Sequence, residues 1–374
     1  MKITTTKNNI TAAVRIVENA IAGGDDGNLS SHFLFRVVDG VLNILASNGK
    51  RLLASATVAD ATIEGEAKPF TVSAHRFGLL LKLSPESACT LDFDGSSTKV
   101  QVDGRTLRFA SLDPSAFPYW DNAFTDAKET ATPVAGRLFA ALSYIKPFVS
   151  TMDTRTPALA ATECREGTLW ATDSQSLATT TVAGLEKASI RLHYSDIPPV
   201  NAFLGLDQDA TVSIREHAST IFFVRADGGV FGVSRWTQEF PKLKLDRDTT
   251  KASFSVDAEN FRYGLRFLSV ASAKDDDRIR FEFKDSKVVL SVAAVAGGRE
   301  EFTVVTKAVV DITALSENGR EGFDVNGDHI SAILDTCTDD ILTFGINWTA
   351  KNGYLLYKQM VDGDEYLAVV VWKK

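Results

Sequence analysis

Apolar positions recur along the chain at two alternating periods. Ile10, Ala13, Val14, Val17 and Ile21 fall three and four apart, which predicts an amphipathic helix over 8–22. The segments around it alternate with period two and predict strands at 2–6, 32–37, 41–46 and 52–58, with Asp39-Gly40 and Asn48-Gly49 as hairpin turns. The order then repeats: a strand at 70–73, a helix over 75–83, and strands at 89–93, 99–102 and 106–111. Further helices are predicted over 134–149, 198–206, 258–270 and 327–337. Pro147 is expected to kink or stop the first of these, whereas Pro198-Pro199 suits the first turn of the second.

A unit of one strand, one helix and three strands is therefore expected six times, and the six units pair. Phe117-Pro118 recurs as Phe240-Pro241, 123 positions on, each closing a similar ten-residue segment. A second marker agrees: the run from Leu42 to Leu52 resembles the run from Leu169 to Leu177, with Ser47 and Thr172 125 positions apart. These spacings divide the chain into three similar domains, 1–123, 124–249 and 250–374, of an α+β class rich in hairpins. The period alone also fits a solenoid, but closed pairs of units fit the Phe-Pro linkers better.

Length and composition agree with this division. The chain has 374 residues, against a prior of about 150 per domain, and its 44% hydrophobic and 24% charged residues are those of a folded chain. Cys89, Cys164 and Cys337 are odd in number and far apart, which suits a reducing, cytoplasmic setting better than a disulfide framework. Arg15 and Glu18 interrupt the first apolar helix, so no export signal is expected there, and no apolar run approaches the ~18 residues of a membrane span.

Chemistry-bearing motifs are sparse. There is no Gly-x-Ser-x-Gly, no Cys-x-x-Cys and no phosphate loop, because Asn48-Gly49-Lys50-Arg51 lacks the upstream glycine and sits in a hairpin. His32, His75, His193, His217 and His329 stand alone, so no metal, cofactor or catalytic residue is expected. Asp25-Asp26, Asp275-Asp276-Asp277 and Asp339-Asp340 leave one enzymatic alternative, a metal-dependent nuclease, although acidic turns of this kind are ordinary solvated surface.

The net charge of −8 excludes bulk attraction to nucleic acid, so any such contact needs a local basic surface. Lys7 and Arg15 lie opposite the apolar stripe of the first helix, and Arg262 and Arg266 lie opposite Phe261, Leu265 and Leu268 on the fifth. Arg76 and Lys82 flank the second helix, and Arg137 and Lys146 the third, whereas the fourth and sixth carry no Lys or Arg. Taken alone, this pattern is the ordinary solvation of amphipathic helices.

Six paired units joined by Phe-Pro linkers resemble the bacterial DNA polymerase III beta sliding clamp family over the whole chain. The run Ala171-Thr172-Asp173-Ser174-Gln175-Ser176-Leu177-Ala178 is similar to the family's Ala-Thr-Asp-Gly-His-Arg-Leu-Ala, and the Met1-Lys2-Ile3-Thr4 start and Val369-Val370-Val371 strand are similar too. The resemblance implies a DNA clamp fold, with helices lining a ring and sheets outside. It implies a non-enzymatic processivity factor that closes as a head-to-tail homodimer around duplex DNA, without reading its sequence, and tethers a DNA polymerase in the cytoplasm, with a clamp loader as a further partner. The chain departs from the family at Ser174-Gln175-Ser176, at Asp25-Asp26, where the family places a DNA-facing basic residue, and at the terminal Trp372-Lys373-Lys374. Such divergence suits a phage-encoded member.

The same resemblance turns the helix-face cations Lys7, Arg15, Arg76, Lys82, Arg137, Lys146, Arg262 and Arg266 into expected phosphate contacts. It implies a partner-peptide pocket at Thr172, Leu177, Pro241, Leu245, Val369, Val371 and Trp372, and a subunit seam at Leu107, Phe109, Phe267 and Val270. A scaffold that keeps the fold without encircling DNA remains the other reading.

Overall fold

The structure, a computed structural model, describes residues 1–23, 27–118, 120–152, 154–243, 250–272, 278–284, 287–293, 298–310, 322–348 and 352–373. The chain forms two compact units, Met1–Phe139 with Lys187–Trp236 and Ala140–Glu186 with Thr237–Lys374. The repeat in thirds and the compact units do not coincide because strands pair across the repeat boundaries. Val230–Ser234 pairs with Leu52–Thr57 in the first unit, and Ser176–Thr181 with Asp364–Lys373 in the second.

The first unit holds two antiparallel sheets. Five strands run in the order Thr62–Glu64, Lys2–Thr6, Ala88–Phe93, Ser97–Val102, Arg105–Ala110, and eight in the order Lys128–Ala131, Val212–Glu216, Thr220–Arg225, Val230–Ser234, Leu52–Thr57, Val41–Ser47, His32–Val38, Phe70–Ser73. The second unit holds an eleven-stranded sheet that begins Glu163–Arg165, Thr168–Thr172, Ser176–Thr181, Asp364–Lys373 and ends Lys287–Ala293, Arg278–Lys284, Gly322–Asn326.

Seven α-helices are described: α1 (Lys7–Val17), α2 (Ala74–Leu83), α3 (Asp121–Asp126), α4 (Ala135–Ile145), α5 (Ile197–Leu204), α6 (Ala258–Ala271) and α7 (Gly327–Thr336). Six answer to the predicted helices. Three of them start where a strand ends on a capping side chain: Thr6 accepts from the Asn9 N–H, Asp257 from Asn260 and Asn326 from Asp328. As Pro147 predicts, α4 stops at Ile145 and a 3₁₀ turn, Lys146–Phe148, follows. The short α3 carries no usable period over six residues, and the sequence reading misses it. The helix α5 follows a loop rather than the expected strand.

The cores are aromatic. In the first unit Phe77 of α2 meets Phe33, Phe35 and Phe109 edge-on, and in the second Phe254 packs against Phe281, Phe283 and Phe344. Cys89 is a free, buried thiol that burial pushes up to about 12, so it is unreactive packing. None of the described helices is long and apolar enough to cross a membrane.

Candidate functional site

In the second unit, a tight turn joins Thr168–Thr172 to Ser176–Thr181. Thr172 Oγ1 donates to the Ser176 carbonyl at 2.6 Å and accepts the Ser174 N–H at 3.2 Å. Asp173 Oδ1 accepts the N–H groups of Gln175 and Ser176 at 2.8 and 2.7 Å, and Ser174 sits at φ +77°, a value a glycine would hold more easily. Beyond the turn Leu177 pairs with Val369, and the Val371 N–H donates to the Gln175 carbonyl at 3.1 Å. Leu177 and Val371 pack on a cluster of Leu356, Leu367 and Val369, so three of the expected pocket residues, Leu177, Val369 and Val371, share one cluster, and Thr172 pairs with Leu177 across the turn.

Pro241 follows Phe240, whose carbonyl accepts from Arg165 at 2.9 Å while its ring lies under the same guanidinium. Leu245 and the side chain of Trp372 lie outside the described residues. What the sequence reading misses is His329, because no spacing links it to residue 173. Its Nε2 donates to the Pro147 carbonyl at 3.2 Å and stands 3.5 Å from Asp173 Oδ2, and its ring stacks on Phe148 at 4.6 Å. A buried imidazole thus braces the carboxylate that shapes the turn.

Burial holds His329 below its ordinary pKa, against the opposing pull of Asp173 and the Pro147 carbonyl. The folded protein resists a proton that the unfolded chain accepts near pH 6.5. Stability is therefore full above that value and is lost as pH falls below it, at up to about 1.4 kcal/mol per pH unit for one proton. Urea midpoints measured from neutral to mildly acidic pH are expected to fall, and His329→Gln is expected to remove that component. An unchanged slope in the variant would refute the role.

The expected DNA-facing cations divide by environment. Arg15 of α1, Arg76 and Lys82 of α2, Lys146 after α4 and Arg266 of α6 are exposed, and Arg137 is half-buried. Lys7 and Arg262 are engaged: Lys7 Nζ donates to the Ser84 carbonyl at 2.5 Å, and Arg262 to the Leu334 carbonyl of α7 at 2.9 Å. In the first unit α1 and α2 border a cleft of about 350 Å³, whose lining includes Glu18, His75 and Lys82.

Compared with solved structures, the chain aligns over its full length with DNA clamps. The DNA polymerase sliding clamp of Bacillus subtilis matches with a TM-score of 0.82 at 14% identity, covering 100% of this chain and 99% of that one. The DNA polymerase III beta subunit of Thermotoga maritima gives 0.80 at 18% identity, with 100% and 99% covered, and that of Pseudomonas aeruginosa 0.81 at 15%, with 100% of both. This chain has the sliding-clamp fold. No family model matches it, and no curated protein does.

The clamp fold places the four expected seam residues on two elements. Leu107 lies on Arg105–Ala110, the edge strand of the five-stranded sheet, and is 48% exposed, while Phe109 on the same strand is 4% exposed and packs against Phe77. Phe109 therefore supports the edge from inside, and Leu107 extends the core face into the open. On α6, Phe267 and Val270 are 47% and 87% exposed, and Tyr263 joins them one turn earlier. The helix is thus apolar on two faces, one buried at Phe261, Leu265 and Leu268 and one open. Tyr263 was legible in the sequence at the same three- and four-residue spacing but is absent from the expected set.

Among the described residues no group of three His, Cys, Asp or Glu side chains could hold a metal ion. Asp25, Asp26 and Asp275 to Asp277 lie outside them, and at Asp339-Asp340 both backbone carbonyls serve as acceptors, from Cys337 and Ala258.

Proposed function

We propose that this protein is a DNA sliding clamp, a non-enzymatic ring of two head-to-tail copies that encircles duplex DNA and tethers a replicative polymerase. The observation that carries this reading is the extent of the fold likeness, which covers all of this chain and 99% or more of each clamp described above. The thirds 1–123, 124–249 and 250–374 are then its three clamp domains, with helices facing the hole and sheets outside. An acidic exterior with cations on the helices repels DNA outside and neutralises phosphates within, which reconciles a net charge of −8 with DNA as partner. The exposed cations Arg15, Arg76, Lys82, Lys146 and Arg266 are the strongest candidates for that inner surface, with Arg137 beside them.

The aliphatic cluster of Leu177, Val369 and Val371, with Thr172 paired to Leu177, suits the apolar anchors of a short linear peptide. We assign it to the polymerase and to a clamp loader acting in the cytoplasm. The deciding experiment loads the protein onto nicked circular DNA and then linearises it. A clamp stays on the circle and runs off the linear form, with a native mass of two subunits; equal retention on both refutes encirclement.

A scaffold with the clamp fold that does not encircle DNA is the competing reading. It draws on α5 and α7, which carry no cation, and on Lys7 and Arg262, whose charges are directed to carbonyls. The same experiment separates the two.

A further inference from the structure

The turn between Thr172 and Ser176 has a counterpart in the first unit. Ser47 Oγ donates to the Leu52 carbonyl at 2.8 Å and accepts the Gly49 N–H at 3.1 Å, as Thr172 does with Ser176 and Ser174. Asn48 Oδ1 accepts the N–H groups of Lys50, Arg51 and Leu52, as Asp173 Oδ1 accepts those of Gln175 and Ser176. A neutral amide therefore closes such a turn through one oxygen. The second turn carries a carboxylate instead, and its other oxygen, Oδ2, stands 3.5 Å from His329 Nε2.

Three features hold this imidazole neutral. It is 2% exposed. It is the third residue of α7, at the helix end where the backbone dipole repels a cation. Its Nε2–H donates to the Pro147 carbonyl at 3.2 Å, while Nδ1 is buried with no hydrogen-bond partner among the described residues, so a second N–H has no acceptor there. The charged groups that act on the ring are Asp173 from the turn and Asp328 from its own helix, and both favour the proton. The Lys146–Phe148 turn presents the Pro147 carbonyl and the Phe148 ring to it, with Lys146 exposed.

A proton on the ring sets it against the turn. Beside a carboxylate, an imidazolium shortens a 3.5 Å contact to a charge-assisted bond of about 2.8 Å, which draws Asp173 off the Gln175 and Ser176 amides. The same residues lead to the aliphatic cluster: the Gln175 carbonyl accepts the Val371 N–H at 3.1 Å, and Leu177 pairs with Val369 just beyond.

We propose that His329 is a proton-operated positioning residue for docking at the Leu177–Val371 cluster. Neutral, it leaves the Asp173 carboxylate to the turn and keeps the cluster in place for a peptide; protonated, it takes the carboxylate and loosens the turn. The docking half rests on the peptide reading of that cluster, whereas the titration of the turn does not. Burial delays protonation of the ring to below the ordinary value of about 6.5, so docking is full at and above neutral pH and falls as the medium becomes acidic.

Two readouts on the full chain test this. In isotope-labelled protein, the amide resonances of Gln175, Ser176 and Val371 are expected to shift with acid on the same curve as the His329 ring, and to lose that curve in His329→Gln. The docking probe is a fluorescein-labelled peptide without titratable side chains, selected on the chain at neutral pH from a random peptide library and measured by anisotropy. Its affinity is expected to fall about threefold or more between about pH 7.5 and about pH 5, at no more than about tenfold per pH unit, and the ratio to return to about one in His329→Gln. Should His329→Gln fail to fold, Asp173→Asn carries the test, since Asn48 closes its own turn with an amide oxygen. Turn amides that do not follow the His329 ring overturn the proposal, as does an affinity ratio that persists in the variant or is absent from the parent. Val371→Asp is expected to abolish binding of the peptide. Binding that survives Val371→Asp, with the turn amides still following His329, refutes the peptide reading of the cluster and leaves the titrating turn standing.

Discussion

If the protein forms the proposed two-subunit ring, Val270→Asp and Leu107→Asp are each expected to convert it into folded monomers and to abolish retention on circular DNA. Val270 is 87% exposed in the single chain, so a carboxylate there stays solvated and costs the isolated subunit little. Leu107 is 48% exposed at the end of a sheet edge, where water also reaches. In a closed seam the same carboxylate would be buried among Leu107, Phe267 and Tyr263 or their counterparts, at a cost of several kcal/mol per interface. A head-to-tail ring has two such seams, so the destabilisation is doubled. Phe109→Asp should behave differently: Phe109 packs in the aromatic core against Phe77, and its replacement is expected to unfold the first unit rather than separate subunits. Native mass spectrometry with a melting curve distinguishes these outcomes. A Leu107→Asp protein that remains a folded dimer would place the seam elsewhere.

The triple reversal Arg15→Glu, Lys82→Glu, Arg266→Glu should weaken binding to a short labelled duplex on the order of a hundredfold at physiological salt. Each phosphate left without its cation lowers the log–log salt slope by about 0.9, so three lower it by roughly three units, whatever the DNA sequence. Lys7→Gln and Arg262→Gln provide the contrast. Their charges already face the carbonyls of Ser84 and Leu334, so their removal is expected to reduce stability and to leave the salt slope nearly unchanged. Equal slopes for the triple variant and the parent would remove DNA from the role assigned to these helix faces.

Six of the seven described helices and eight strands of the first third were legible in the sequence because each is a local periodic pattern. A helix stripe at three and four residues and a strand alternation at two survive any tertiary arrangement. The capping residues Thr6, Asp257 and Asn326 act within three positions of themselves, and Pro147 acts on its own turn. The exception, α3, is too short for a period to show. The same locality explains why the repeat was visible: the Ser47 and Thr172 turns close on their own neighbours, and their hydrogen bonds need only the right residue at each step.

Tertiary structure alone decided which side chains each element uses inside. Leu107 and Phe109 share one strand face and were indistinguishable by alternation, yet α2 covers Phe109 through Phe77 and leaves Leu107 open. Lys7 and Arg262 look like any exposed helix cation until Ser84 and Leu334 bring carbonyls to them from distant segments. His329 meets Asp173 only because α7 and the Thr172 turn belong to one unit, and a lone histidine carries no spacing that could announce it. Gly232 reads as a weak point in a strand; only the Phe222 ring and the Trp120 indole packed against it show why no side chain fits there. In each case the deciding contact joins residues far apart in the chain, where neither period nor propensity carries information. The sequence by itself therefore determined the elements, their repeat and the sign of the charge, while burial and long-range pairing decided which of those residues a partner can reach.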